Sequence, residues 1–379
     1  MFEQIAGVEE LTTNDRGKKA RGRGQGPARV TIQDVAAAAG VSNSSVSNYM
    51  NNRFERLGAE ARERISDAIA TLGFRPNQAA RQLKTGKIEA LALVVPSVVN
   101  PFNSQLVFAV EQAAVKAGYT VHLCNTMRDP VVEKRFLENL VGIGVSDLIV
   151  MAPLNTRRGP YHVAGDSLSV VAIDANRRDM RLDQVTTVNI DHEEAVELAV
   201  EHLYGLGHRR IAFVTDSLIT HSRVMRLAGF KAAMLSRDLS APVIILARDG
   251  RSLDIADADM ASLGDLIVSD LMELDPHPTA VVAFNDMIAI GFMASLRAMG
   301  LSVPADLSLV GIDDVWVSQI SYPPLTTVRQ PLAAMAEAAV NRITSRVESD
   351  SSIDLVFHTE LIVRNTCAPP RKRERLLPG

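Results

Sequence analysis

From Ile88 to Ile312, short apolar runs alternate with amphipathic stretches of helical length, and few folds can accommodate that alternation. The runs are Leu91–Pro96, Tyr119–Asn125, Leu148–Ala152 and Val170–Asp174, then Ile211–Thr215, Val243–Leu246, Ala280–Phe284 and Ser308–Ile312. Helices are predicted at about Asn103–Ala117, Val131–Val141, His192–Leu206, Ser222–Ser236, Ser262–Leu274 and Met287–Met299. Strand, helix and strand in succession make a βαβ unit, and repeats of that unit make a parallel sheet. The pattern restarts after Thr187, so two similar α/β halves are expected. A ligand cleft belongs beyond the carboxyl ends of their strands. A chain of 379 residues exceeds one ordinary core, which suggests two or three domains.

The segment ahead of this alternation is of a different kind. Residues 31–51, TIQDVAAAAGVSNSSVSNYMN, have the spacing of a helix-turn-helix. Ala36 lets two helices approach closely, Gly40 can take the left-handed turn between them, and Val46 plugs the small core from the second helix. Thr31 and Ser42 are the expected N-caps. The second helix, about Asn43 to Met50, would present Asn43, Ser44, Ser47 and Asn48 outward. Short amides and hydroxyls suit base edges and phosphates in a major groove. A third helix is predicted at about Ala59–Leu72, with Ala61, Ile65, Ala68, Ile69 and Leu72 on one face and Gly73 at its end.

Charge divides the chain in the same place. Residues 1–87 carry 14 Lys+Arg against 9 Asp+Glu, a net +5, whereas the remainder carries a net −9. A basic module on an acidic body fits a protein that grips phosphates with one end. Residues 1–29 read as a flexible arm, with six Lys/Arg between Arg16 and Arg29 and four interspersed glycines. Cys124 and Cys367 are the only cysteines, so neither a disulfide framework nor a zinc site is supported. No apolar run approaches the roughly 18 residues of a membrane span, and no signal-peptide core precedes the helix-turn-helix. A cytoplasmic protein without membrane contact is expected. The sequence carries no nucleophile elbow, no phosphate-binding Gly-rich loop and no paired-histidine zinc motif, so an enzyme is not expected and no cofactor is implied.

Several motifs, in a fixed order, point further. Segment 77–87 (NQAARQLKTGK) follows 73–76 (GFRP); then come 95–96 (VP), 100–102 (NPF), 206–213 (LGHRRIAF), 226–230 (RLAGF), 284–286 (FND), 310–314 (VGIDD) and 324–328 (PLTTV). The chain resembles the lac repressor (LacI/GalR) family of transcriptional regulators over all but residues 1–29 and the last dozen or so. That resemblance implies a headpiece at 30–76, a hinge helix at 77–87 and a two-lobed, periplasmic-binding-protein-like core at 88–370, before a basic tail at 371–379. It also implies three passages between the lobes, with lobe 1 at about 88–188 and 327–354 and lobe 2 at about 189–326 and 355–370.

The same resemblance assigns roles. Asn43, Ser44 and Asn48 match its base-reading positions, and Thr31, Ser42, Ser47 and Asn51 its phosphate contacts. Asn77, Arg81 and Leu83 lie in the hinge, where Leu83 would wedge into the minor groove; inserting an apolar side chain between base steps kinks the duplex. Asn100, Phe102, Asn103, Asp174, Arg226, Asn285 and Asp313 match the effector-contact positions, with Asp286 adjoining them. The implied partners are double-stranded operator DNA, a second copy of the chain and a small-molecule effector such as a sugar or related metabolite. Two departures set this chain apart from simple-sugar binders of the family: Asn103 stands where many carry a second aromatic, and Ala175 where several carry arginine. The loop 52–58 is arginine-rich and has Gly58 where a serine cap is common, so Arg53 or Arg56 is a candidate phosphate contact. Two rival readings remain: a solute-binding protein of the same core fold, and an architectural DNA-binding protein using the basic arm.

Overall fold

Thr31 and Asp34 close a reciprocal capping box at the start of the first helix. The Asp34 carboxylate accepts from the Thr31 N–H at 2.8 Å, and the Thr31 hydroxyl accepts from the Asp34 N–H at 3.4 Å. Such a box satisfies two backbone donors that a helix start otherwise leaves open. The computed structural model describes residues 30–50, 52–74, 89–153, 168–180, 185–216, 220–241, 243–245, 263–345 and 353–371. The chain divides into two compact units, Met1–Lys87 and Ile88–Gly379.

In the first unit, helices α1 (Ile32–Ala39), α2 (Asn43–Met50) and α3 (Ala59–Leu72) enclose a core of Val35, Val46 and Ile65, all fully buried. Gly40 turns the chain between α1 and α2 with φ 61°, a left-handed conformation that side chains disfavour. Ser42 caps α2 by accepting the Ser45 N–H at 3.1 Å. No side chain caps α3 at Gly58, and a short 3-10 turn at Phe54–Arg56 leads into it instead. Arg64 then ties α3 to the end of α1 by donating from Nε to the Ala39 carbonyl at 3.1 Å.

The second unit holds two six-stranded sheets. The first contains β1 (Ala90–Val95), β2 (Thr120–Asn125), β3 (Asp147–Met151), β4 (Ser169–Ile173), β5 (Val185–Ile190) and, far along the chain, β11 (Asp354–Phe357). All of its pairings are parallel. The second contains β6 (Ile211–Thr215), β7 (Val243–Ile245), β8 (Ala280–Ala283), β9 (Ser308–Asp313), β10 (Thr326–Arg329) and an antiparallel edge strand, β12 (Glu360–Ile362). The principal helices are α4 (Pro101–Lys116), α5 (Pro130–Ile143), α6 (Arg177–Met180), α7 (His192–Gly205), α8 (His221–Leu235), α9 (Gly264–Met272), α10 (Asp286–Ala298), α11 (Trp316–Ile320) and α12 (Leu332–Thr344). Strands buried on both faces read as continuous apolar runs, as β1 and β8 do. Among the described residues, no helix is long and apolar enough to cross a membrane.

Two features depart from the sequence pattern. That pattern marks no strand at β5, because Thr186, Thr187 and Asn189 interrupt its apolar run, yet all three are buried. Each has a partner: Thr186 accepts from Arg342 Nε at 3.0 Å, Thr187 donates to Asp354 at 2.7 Å, and Asn189 exchanges two hydrogen bonds with the Ala175 backbone at 3.0 Å. Second, the chain passes between the sheets at about 191, 330–331 and 358–359, a few residues beyond the expected 188, 326 and 354. Strand pairing sets those points, since β10 bonds to both β9 and β12 and so keeps Thr326–Arg329 in the second sheet.

Candidate functional site

In the first unit, α2 presents Asn43 and Ser44 exposed, with Ser47 and Asn48 half-buried one turn further on. Residues four apart on a helix share a face, so the four polar groups form one short patch. The Ser42 hydroxyl lies within hydrogen-bonding distance of Ser44 (2.7 Å) and Ser45 (2.9 Å), and Thr31 is exposed beside Asp34. Arg53 and Arg56 are exposed in the turn that follows. Phe54 sits there against Tyr49, ring centroids 5.6 Å apart, and fixes the turn to α2. Asn51 and the hinge residues Asn77, Arg81 and Leu83 lie outside the described residues.

In the second unit, a cleft opens beyond the carboxyl ends of β4, β5, β8 and β9 and encloses about 550 Å³ of atom-free space, its open mouth included. All seven residues expected to contact an effector line it: Asn100, Phe102, Asn103, Asp174, Arg226, Asn285 and Asp313. Most are positioned by where elements end. Asn100 caps α4 by accepting the Phe102 N–H at 3.0 Å, and Asn285 caps α10 by accepting the Ile288 N–H at 2.9 Å. Asp174 (φ 55°) and Asp313 (φ 132°) sit where strands break off into positive φ. Asn103 and Ala175, the two departures from the family pattern, have structural contacts. Asn103 Nδ2 donates to the Ser97 carbonyl at 2.8 Å, and the Ala175 backbone is bound to Asn189.

Charge in the cleft is arranged in pairs. Arg223 chelates Asp216 through Nε at 2.7 Å and Nη2 at 2.8 Å. Arg226 donates to the Phe284 carbonyl at 2.6 Å and to Asp313 at 3.5 Å, and Gln330 donates to the same Asp313 oxygen at 2.7 Å. Both guanidiniums lie within 5 Å of the Phe284 ring centroid, at 4.7 and 4.8 Å. Burial favours the protonated form of Asp174, but His192, Ser222 and Arg226 outweigh it and hold the carboxyl well below the usual range. Burial pushes Asp313 the other way, upward, against the opposing pull of Arg226.

Asp286 does not line the cleft. Fully buried, it accepts from the Thr327 hydroxyl and from the Val315 N–H at 3.0 Å, and so anchors the loop after β9. Burial and the nearby Asp313 raise its pKa. Gly311 is required beside it, because a Cβ there would stand 2.3 Å from Asp286 Oδ1.

Sequence reasoning missed Arg128, Asn189, His192, Ser222, Arg223, Phe284 and Gln330, which also line the cleft. His192, Ser222 and Gln330 begin a helix or a passage between sheets, the one positional signal that could have marked them.

Comparison with known proteins adds an independent line. Residues 31–77 match the family model for bacterial regulatory proteins of the lacI family, and residues 200–367 that for a periplasmic binding protein-like domain. The chain is 30% identical over 342 residues to the HTH-type transcriptional repressor PurR of Actinobacillus pleuropneumoniae, spanning 89% of this chain and 98% of that one. It is 28% identical over 331 residues to the HTH-type transcriptional regulator KdgR of Bacillus subtilis, covering 87% and 95% of the two chains. A crystal structure of the Lac repressor bound to ONPG in its repressed state superposes with a TM-score of 0.75 at 27% identity, over 89% of this chain and 99% of that one. The Lac repressor dimer bound to operator and the anti-inducer ONPF gives 0.74 at 26% identity, over 90% and 99%.

Proposed function

The chain belongs to the lacI family of bacterial regulatory proteins, and from that membership we propose a sequence-specific, DNA-binding transcriptional repressor, dimeric and controlled by a small molecule. The observation that carries this reading is the joining of a helix-turn-helix with an outward polar patch to a cleft built from charged pairs. As a dimer, the protein places two headpieces in adjacent major-groove segments of a pseudo-palindromic operator. Asn43, Ser44 and Asn48 read base edges, with Asn suited to bidentate contacts on adenine. Thr31, Ser42, Ser47 and Asn51 hold phosphates, and hinge residues Asn77, Arg81 and Leu83 engage the minor groove.

The effector binds among Asn100, Phe102, Asn103, Asp174, Arg226, Asn285 and Asp313. Asp174 follows a strand of the first sheet and accepts from Ser222, which opens a helix of the second unit's other half. A ligand hydroxyl that competes for this carboxylate changes how the halves are held together, and through them the spacing of the hinges. We read the protein as a binding protein acting on DNA in the cytoplasm rather than as an enzyme, in line with relatives named as transcriptional repressors.

Selection of binding sequences from a random duplex pool tests this directly. A two-fold-related consensus is expected; no enriched sequence, with or without a metabolite extract, would end the proposal.

A further inference from the structure

His192 opens α7 just after the first passage between the sheets, and its imidazole lines the cleft at only 5% exposure. Nε2 stands 3.3 Å from Asp174 Oδ1, at ion-pair range but off the line of a hydrogen bond. Among the described residues, Nδ1 has no hydrogen-bond partner, and Nε2 has only this misaligned approach to the carboxylate. Leaving a buried polar group unsatisfied costs about as much as a lost hydrogen bond, and folded proteins rarely tolerate it without a reason. Asp174 is held in place by Ser222, whose N–H and hydroxyl it accepts at 3.0 and 2.7 Å. His221 confines the imidazole from another side, edge-on with centroids 5.6 Å apart.

The chemistry of a partner follows from these neighbours. Burial depresses the pKa of His192; Asp174 opposes this, and Arg226 and His221 add to the depression, so the ring is neutral. With Nε2 facing a carboxylate, the proton belongs on that nitrogen and Nδ1 is left as an acceptor. The buried Nε of Arg226, a donor, also lacks a hydrogen-bond partner among the described residues. A hydroxyl can donate to an imidazole or accept from a guanidinium, whereas a phosphate dianion or an ionised carboxylate can only accept. Arg223 and Arg226 each already face a carboxylate, and Asp174 adds a further negative charge beside the neutral ring.

Resting on the reading of this cleft as an effector site, we infer that His192 is a specificity-determining residue that accepts a hydrogen bond from a hydroxyl of an uncharged, polyhydroxylated ligand and, with Asp174, excludes a phosphate or carboxylate at that end. Asn285, Asn103 and Asp313 line the same cleft and supply the remaining amide and carboxylate surface for vicinal hydroxyls.

The test uses the full chain and matched compounds: uncharged mono- and disaccharides, pentitols and hexitols against the corresponding sugar phosphates and uronic acids. Thermal shift finds binders and calorimetric titration measures them. At least one uncharged compound is expected to bind, with its phosphate or uronate counterpart at least about tenfold weaker. For that compound, His192→Leu should raise Kd about tenfold, and His192→Asn, which keeps a neutral acceptor, should recover most of the loss. The inference is overturned if a charged counterpart binds more tightly, if His192→Leu leaves Kd unchanged, or if no uncharged compound binds protein that still selects an operator. Operator selection is scored on the same preparation, so its loss would strike the regulator reading and not this one. Should the Leu variant fail to fold, the charge comparison on the unmutated chain decides alone.

Discussion

Asp174 and Ser222 are joined by two hydrogen bonds, from the Ser222 N–H at 3.0 Å and from its hydroxyl at 2.7 Å, although 48 residues separate them. The first follows a strand of one sheet, and the second sits in the first turn of a helix packed with the other. This clasp lies inside the cleft, so binding and the closeness of the two halves share a carboxylate.

Ser222→Ala removes one of the two bonds and leaves a buried, ionised Asp174 less well satisfied. Hydrogen bonds to charged groups contribute about 1.5–3 kcal/mol, so urea unfolding of the variant should report a loss in that range. Small-angle scattering should show a wider opening between the halves. Unchanged stability and unchanged scattering together would remove the clasp from the account.

Asp286 sets a pH dependence whose sign is fixed. Its folded pKa is raised, by burial first and by Asp313 next, so the folded state holds a proton that the unfolded chain releases near the ordinary carboxylate value of about 4. The stabilisation is complete below that value and is lost as pH rises towards neutrality. Asp286→Asn mimics the protonated form, so unfolding free energies of variant and parent should diverge in the variant's favour as pH rises from about 5 to 8. His192 and Asp174 have the opposite trend and cancel in the difference, whereas Asp313, pushed up to about 6 by burial, shares the trend and feels the loss of the Asp286 charge, so the difference profile reports the pair. A flat difference profile would refute the assignment.

Gly311→Ala places a methyl 2.3 Å from Asp286 Oδ1 and 2.9 Å from Leu325 Cδ2. Overpacking of a tight site costs typically about 1–3 kcal/mol. A melting temperature lowered by several degrees is expected, and a variant as stable as the parent would mean that the loop gives way freely.

The headpiece separates two kinds of contact. Asn43→Ala or Asn48→Ala should flatten base preference at one operator position, at about 1–3 kcal/mol of discrimination. Arg53→Ala or Arg56→Ala should instead weaken binding to all sequences alike and reduce the salt slope by about one. Fluorescence anisotropy over a salt series distinguishes them, and an arginine variant that altered base preference would move that residue to the reading class.

Much of the fold was legible because its signals are local. The strand Ile211–Thr215 is five apolar or small residues between turns, and Gly40 and Gly73 stop helices by their own backbone preference. The β5 strand was not, since Thr186, Thr187 and Asn189 look like loop residues until Arg342, Asp354 and Ala175 supply their partners from distant segments. The cleft divides the same way. Asn100, Asn285 and Asp313 fall in motifs, whereas Arg223 is one more arginine on a helix until Asp216 orients it. His192 is harder still, because its distinguishing property is the partner it lacks.

The three passages between the sheets also govern synthesis. The first sheet waits for its sixth strand until Asp354–Phe357 has emerged, by which time every strand of the other sheet except its edge strand Glu360–Ile362 has been made. Val185–Ile190 therefore leaves the ribosome as a temporary edge, with Thr187 still lacking its Asp354 partner and no unbroken apolar run along the strand. The polar residues that hid this strand from a reading of the sequence are those that keep the edge soluble while it waits.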